Sequence, residues 1–338
     1  MPRDVLLIGS IPLGSARAVF ETVGAVLDGR VRRVPDGENG ERLDWVAWQA
    51  ATFARIPFVE AAANGPAVRG KLPQFRVRPG FPPTTVRFGS LGYVEAAAAS
   101  YRDLVAVRNA GKLPAGCRLQ VGLATPLSVV GQFVDAEFQS AVEPQYERRM
   151  LEEVDAIAGA VPPADLSIQW NLATELSILE GHRPVYFDKV VDGIIDRLVR
   201  LIERVPEAAE VGLHFCYDDF ILNGLPLPDS LDRFVDLANG ALSSAARSVQ
   251  WLHLPVRHGV SMAAYLAPLR RLTLPQGAEL YLGLVHGHDG LAGAGGRVAL
   301  ARREIADFGV ASECGLRDAS PQQVRELLEL HRSVADLG

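Results

Sequence analysis

Residues 210–219 read Glu-Val-Gly-Leu-His-Phe-Cys-Tyr-Asp-Asp, an apolar run that ends in His214, Cys216, Asp218 and Asp219. A short apolar run closed by polar side chains is how a strand buried on both faces reads, with its chemistry at the C-terminal tip. Residues two apart on a strand point the same way, so the His214 imidazole and the Cys216 thiol project together. With a distant thiolate to close the set, Cys314 in Glu313-Cys314-Gly315-Leu316, these groups suit tetrahedral zinc that keeps one place for substrate. The competing reading is a buried cysteine beside a core histidine, because free cysteine packs as a small hydrophobe. Economy favours the metal: the chain has three cysteines, and two of them sit at a strand end or in a loop beside polar residues. Cys117, at the start of an apolar strand, reads as structural.

Other apolar runs alternate with helical stretches on either side. Strands are expected over 4–11, 30–34, 85–91, 119–124, 166–170, 211–215, 249–254 and 280–285, and helices over 15–27, 43–54 and 94–110. Val190, Ile194, Leu198 and Leu201 repeat at helical spacing. The Pro-, Gly- and Arg-rich segment 57–83 reads as an excursion loop. Strands alternating with helices imply a parallel sheet covered on both faces, and eight such units favour a closed (β/α)8 TIM barrel. An α/β fold of this kind is expected to take all of residues 1–338 as a single domain. A dinucleotide-binding fold is disfavoured, since Gly9-Ser10-Ile11-Pro12-Leu13-Gly14 lacks the central glycine and Gly293-Ala294-Gly295-Gly296 comes too late.

In such a barrel the strand tips carry the site, and polar residues collect there. They are Ser10 at the first strand, Asp36 and Glu38 at the second, and Gln169, Asn171 and Glu175 at the fifth. The sixth delivers His214, Cys216, Asp218 and Asp219, the seventh His253, and the eighth His286, His288 and Asp289. At 338 residues, with 48% apolar and 22% charged residues and a net charge of −6, the chain can bury a large core and has no general attraction for nucleic acid or anionic membrane. No apolar stretch reaches membrane-spanning length, and the N-terminus lacks a signal-peptide pattern. Three scattered cysteines make no disulfide framework, so a reducing cytoplasm is the expected setting.

Taken together, Ile8-Gly9-Ser10, Asp36-Gly37-Glu38 with Arg42 and Asp44, Ile168-Gln169, His214-Phe215-Cys216-Tyr217 and Glu313-Cys314-Gly315-Leu316 resemble the C-terminal catalytic domain of cobalamin-independent methionine synthase and its single-barrel relatives. The order of these pieces runs over nearly the whole chain. The resemblance implies His214, Cys216 and Cys314 as zinc ligands, zinc activating a thiol for alkylation. The partners it implies are a small-molecule thiol acceptor and a methyl or alkyl donor such as a folate. The family's strand-seven glutamate ligand falls at His253, so the fourth ligand would be a second imidazole, or His253 would line the cavity. Ser10, Asp36, Gln169 and Asn171 fall in the substrate pocket. Glu38, Asp219 and His286 are the candidate catalytic groups, with Asp219 or His286 protonating the departing group. The family's Ile-Gln-x-Asp-Glu-Pro reads Ile168-Gln169-Trp170-Asn171-Leu172-Ala173 here, so the acid expected to hold the homocysteine ammonium is an amide. Homocysteine is therefore not the expected acceptor. The readings set against a zinc-dependent transferase are a metal-independent decarboxylase of the uroporphyrinogen decarboxylase type and a non-catalytic metal- or ligand-binding barrel.

Overall fold

A computed structural model describes residues 4–62, 72–257 and 262–337. Its centre is a seven-stranded parallel sheet built from β1 (Arg33–Pro35), β4 (Arg118–Ala124), β5 (Leu166–Leu172), β6 (Glu210–Phe215), β7 (Trp251–Pro255), β8 (Glu279–Val285) and β9 (Gly309–Ser312), in that spatial order. A separate antiparallel hairpin pairs β2 (Val59–Ala61) with β3 (Phe75–Val77). Twelve α-helices among the described residues cover the sheet. In the helix Val190–Arg204 the buried residues are Ile194, Leu198, Leu201 and Ile202, so the apolar stripe read from the sequence is the face that packs inward. All seven residues of β5 are buried, as expected of a parallel strand with both faces covered.

The sheet curls strongly. Arg33 on β1 donates to Glu210 on β6 at 2.8 Å and to Glu279 on β8 at 2.9 Å. β8 stands five places from β1 in the sheet, about 24 Å in a flat one at the usual strand spacing. A guanidinium cannot span that distance, so the strands must turn back on themselves in the manner of a TIM barrel. Inside the curl, Leu6, Ile8, Trp251, Tyr281 and Ala311 form their own small apolar cluster, and Trp251 Nε1 donates to Ser167 Oγ at 3.0 Å.

Several expected elements are corrected. The first segment forms one parallel bridge, Val5 to Val310, and its backbone is otherwise shared between β9 and the β1 side: Leu6 N donates to Val310 O at 3.0 Å and Val5 N to Arg30 O at 2.9 Å. The complete eight-strand ladder expected from the sequence is thus not formed among the described residues. The strand expected over 85–91 is absent. Val86 and Leu91 are buried as separate anchors, and Leu91 N donates to the Glu153 carboxylate, not to a neighbouring strand. The helix expected over 43–54 is two 3-10 turns followed by the short helix Ala50–Ala54. The excursion 57–83 holds the β2–β3 hairpin, and its middle, 63–71, lies outside the described residues. β9 went unread because Gly-Val-Ala-Ser is too short and weakly apolar to announce a strand. No helix among the described residues is long and apolar enough to cross a membrane.

The ladder register sets the working layer. Asn171 on β5 lies opposite His214 on β6, which lies opposite His253 on β7. Facing residues of adjacent strands point to the same side, so three polar side chains meet at one level of the curl.

Candidate metal centre and substrate pocket

The strand tip of β6 and the loop after β9 bring three soft or borderline donors together. One ligand atom each from His214, Cys216 and Cys314 lies within 4.8 Å of the other two. The Cys216 and Cys314 sulfurs are 3.2 Å apart, and Cys314 Sγ is 3.8 Å from His214 Nε2. Asp218 N donates to Cys216 Sγ at 3.4 Å, an interaction that favours a thiolate there. Burial, and then the neighbouring Cys314, pushes the Cys216 thiol well up. Two thiols facing each other beside an imidazole nitrogen are poorly stabilised as bare anions, whereas zinc coordinated by two sulfurs and a nitrogen would satisfy all three. The donor set fits zinc.

His253 stands behind this set. Its Nδ1 is 2.8 Å from His214 Nδ1, and its Nε2 is 3.0 Å from the Ser312 carbonyl. Burial lowers both imidazole pKa values, that of His253 to about 4, so both rings are neutral near pH 7. The hydrogen positions then follow. The Ser312 carbonyl can only accept, so His253 Nε2 carries the hydrogen and His253 Nδ1 is left as an acceptor. His214 Nδ1 must therefore donate to it, which leaves the lone pair on His214 Nε2, the nitrogen that faces Cys314.

A cluster of buried polar side chains adjoins the centre. Glu38 Oε2 accepts from Ser10 N at 3.0 Å and from Ser10 Oγ at 2.5 Å. Burial, opposed by those two hydrogen bonds, pushes the Glu38 carboxyl up to about 7. Ser10 and Glu38 both hold left-handed backbone conformations, at φ 47° and 49°, a strain the surrounding contacts must sustain. Asp36 fixes the turn: it accepts from Glu38 N at 2.8 Å, from Arg42 at 2.7 Å and from Ser100 Oγ at 2.6 Å. Gly122 gives Glu38 its room, since a Cβ there would lie 2.8 Å from Glu38 Oε1 and 3.3 Å from Asn171 Nδ2. Gln120 and Gln169 hold Asn171 from behind. Gly315 packs against the same turn. A Cβ on it would meet Gly9 O at 2.9 Å and Ser10 Cβ at 3.0 Å. The loop that carries Cys314 thus rests on the turn that carries Ser10.

Other expected residues lie in different networks. Asp219 is held by Arg183 at 2.6 and 2.7 Å and by Ser177 and Asn223. Glu175 is buried against Thr125 and Ser128. His286 Nδ1 is 3.8 Å from Glu313, whose carboxyl burial pushes up to about 7. Asp289 pairs with Arg297 at 2.5 and 2.8 Å, and His288 is exposed. Cys117 is buried, which pushes its thiol up to about 12, in keeping with a structural role. Sequence reading missed Ser312, Gln120 and Gly122. The first ends the unread strand β9, and the other two flank Val121 in a strand read only as core.

No family model matches the sequence, and no curated protein matches it. Among solved structures, the chain is similar to a B12-independent methionine synthase from Shewanella sp. W3-18-1 in complex with selenomethionine, at 14% identity and a TM-score of 0.66, over 99% of this chain and 97% of that one. It is also similar to a methyltransferase from Methanosarcina mazei, at 11% identity and a TM-score of 0.53, over 98% of this chain and 93% of that one. The chain therefore has a fold shared with a B12-independent methionine synthase and a methyltransferase, in agreement with the resemblance carried by its His214-Phe215-Cys216 and Cys314-Gly315-Leu316 segments.

Proposed function

We propose that the protein is a zinc-dependent transferase that moves a methyl or other alkyl group onto a small-molecule thiol. The observation that carries this reading is the convergence of one donor atom each from His214, Cys216 and Cys314 within 4.8 Å, next to the buried polar side chains of Ser10, Glu38 and Asn171. Zinc bound there would lower the pKa of a ligated thiol, so that the acceptor is a thiolate near neutral pH. Three protein donors leave a fourth tetrahedral place for that thiol. His253, supported by the Ser312 carbonyl, keeps the His214 lone pair aimed at the thiol pair, a positioning task in place of ligation. Ser10, Glu38 and Asn171 would hold the far end of the acceptor.

The transferred carbon leaves its donor atom for the acceptor sulfur, and the donor atom keeps the bonding pair and takes a proton. His286, buried beside the half-buried Glu313 whose carboxyl is pushed up to about 7, is the proposed proton source. Asp219, clamped by Arg183, instead holds the turn after Cys216. The two methyl-transfer enzymes that share the fold support this reading, and the thiol pair favours it over a decarboxylase. The direct test is transfer of labelled methyl from a methyl-folate or a simple methyl donor to a panel of thiols. Zinc-loaded protein should methylate at least one thiol, and Cys314→Ser should not. Equal transfer with and without zinc would reject the proposal.

A further inference from the structure

The direction in which Asn171 presents its amide is fixed by a chain of side chains that starts at the backbone. Carbonyl oxygens only accept, so the groups 2.7 Å from Leu7 O and 2.9 Å from Ile8 O must be the amide nitrogens of Gln120 and Gln169. Gln120 Nε2 also donates to Gln169 Oε1 at 2.7 Å, and Gln169 Nε2 donates onward to Asn171 Oδ1 at 2.6 Å. The acceptor end of Asn171 is thereby used inside the protein. Its donor end, Nδ2, faces the space over Gly122 next to Glu38 Oε1. The ladder places Asn171 directly beside His214, one strand from the proposed thiol position.

Building on the thiol-acceptor reading above, we infer that the acceptor is a mercapto acid: a thiol whose far end is a carboxyl group that accepts from Asn171 Nδ2, and not an amino thiol. An ammonium has three hydrogens to place and no lone pair. Against this wall it would meet another N–H donor, with Glu38 Oε1 as its one acidic partner, Oε2 being taken by Ser10. A buried cation with too few acceptors is strongly disfavoured. A carboxyl group reverses the match, since it accepts from Asn171 and can share a proton with Glu38.

The test uses the full chain with cobalt(II) in place of zinc, titrated with 3-mercaptopropionate and with cysteamine while the visible bands are followed. The native protein should bind 3-mercaptopropionate about tenfold more tightly or better, the scale of one hydrogen bond to a charged group. Asn171→Asp turns the same position into an acceptor and should reverse the order. Asn171→Leu, which removes the donor without adding charge, should erase the difference. Cysteamine binding as tightly in the native protein, or an order unchanged by Asn171→Asp, would overturn the inference while leaving thiol binding at the metal intact. Bands that no thiol shifts would instead defeat the thiol-acceptor reading, and this inference with it.

Discussion

His214 and His253 face each other through like-named nitrogens, Nδ1 to Nδ1 at 2.8 Å, with the far side of His253 on the Ser312 carbonyl. A neutral imidazole has one donor and one acceptor, so this contact cannot be symmetric; the carbonyl decides which ring gives the hydrogen. The result is a fixed tautomer of His214 with its lone pair toward the two thiols. On the proposed reading, the residue that the family resemblance would make a fourth ligand orients His214 instead.

The first prediction separates these two roles of His253. His253→Ala should weaken zinc affinity about 10- to 100-fold, the usual effect of losing a group that orients a histidine ligand. His253→Gln can still accept from His214 and donate to Ser312, so it should keep most of the affinity. Competition with a chromophoric chelator reads both variants. A glutamine variant as weak as the alanine variant would mark His253 as a ligand.

A second prediction concerns Gly315, which touches no metal. Its Cβ would run into Gly9 O at 2.9 Å and Ser10 Cβ at 3.0 Å, and the first of these is backbone that cannot swing aside. Gly315→Ala should displace the Cys314 loop from the Ser10 turn. Zinc affinity should fall and thiol binding with it, although all the proposed ligands remain. Unchanged values of both would show that the two turns are not coupled.

How much of this was legible in the sequence depended on distance along the chain. The strand tips of β5, β6 and β7 were readable because each is an apolar run that stops at a polar residue, and the pleat fixes which residues share a side. That reading placed His214 with Cys216 and put His253 nearby. The direction of the His253 ring could not be read, because it depends on a carbonyl at Ser312 in a strand of four residues. Segment 85–91 failed in the opposite way: Val86 and Leu91 look like strand residues, yet their burial comes from single side chains set into the core, with Gly89 and Gly92 interrupting any ladder.

The third prediction is a pH dependence. Glu38 titrates at about 7 in the folded chain against 4.5 for an unburied carboxyl. Between those values the folded chain holds a proton that the unfolded chain has released, so the contribution of Glu38 to stability is most favourable below about 4.5 and falls as pH rises toward 7. At about 1.4 kcal/mol per unit the loss is about 3 kcal/mol. Urea denaturation of native protein and Glu38→Gln at several pH values should show this loss in the difference between the two, the native protein losing stability relative to the variant as pH rises from about 4.5 to 7. Parallel slopes would mean that Glu38 is not the group responsible.

The fourth prediction concerns the sulfur ligands singly. Cys216→Ser and Cys314→Ser should each lose most of the bound metal, because a hydroxyl is a poor donor for a soft site. Cys117→Ser, altering a cysteine buried away from the centre, should keep it. Metal retained by either ligand variant would remove that sulfur from the set.

Zinc analysis combined with X-ray absorption at the zinc edge on purified native protein tests the central claim most directly. The expected result is about one zinc per chain, with two sulfur neighbours at about 2.3 Å and nitrogen at about 2.0–2.1 Å, and a third sulfur on adding 3-mercaptopropionate. Protein that carries no stoichiometric zinc and takes up none on titration would contradict the account.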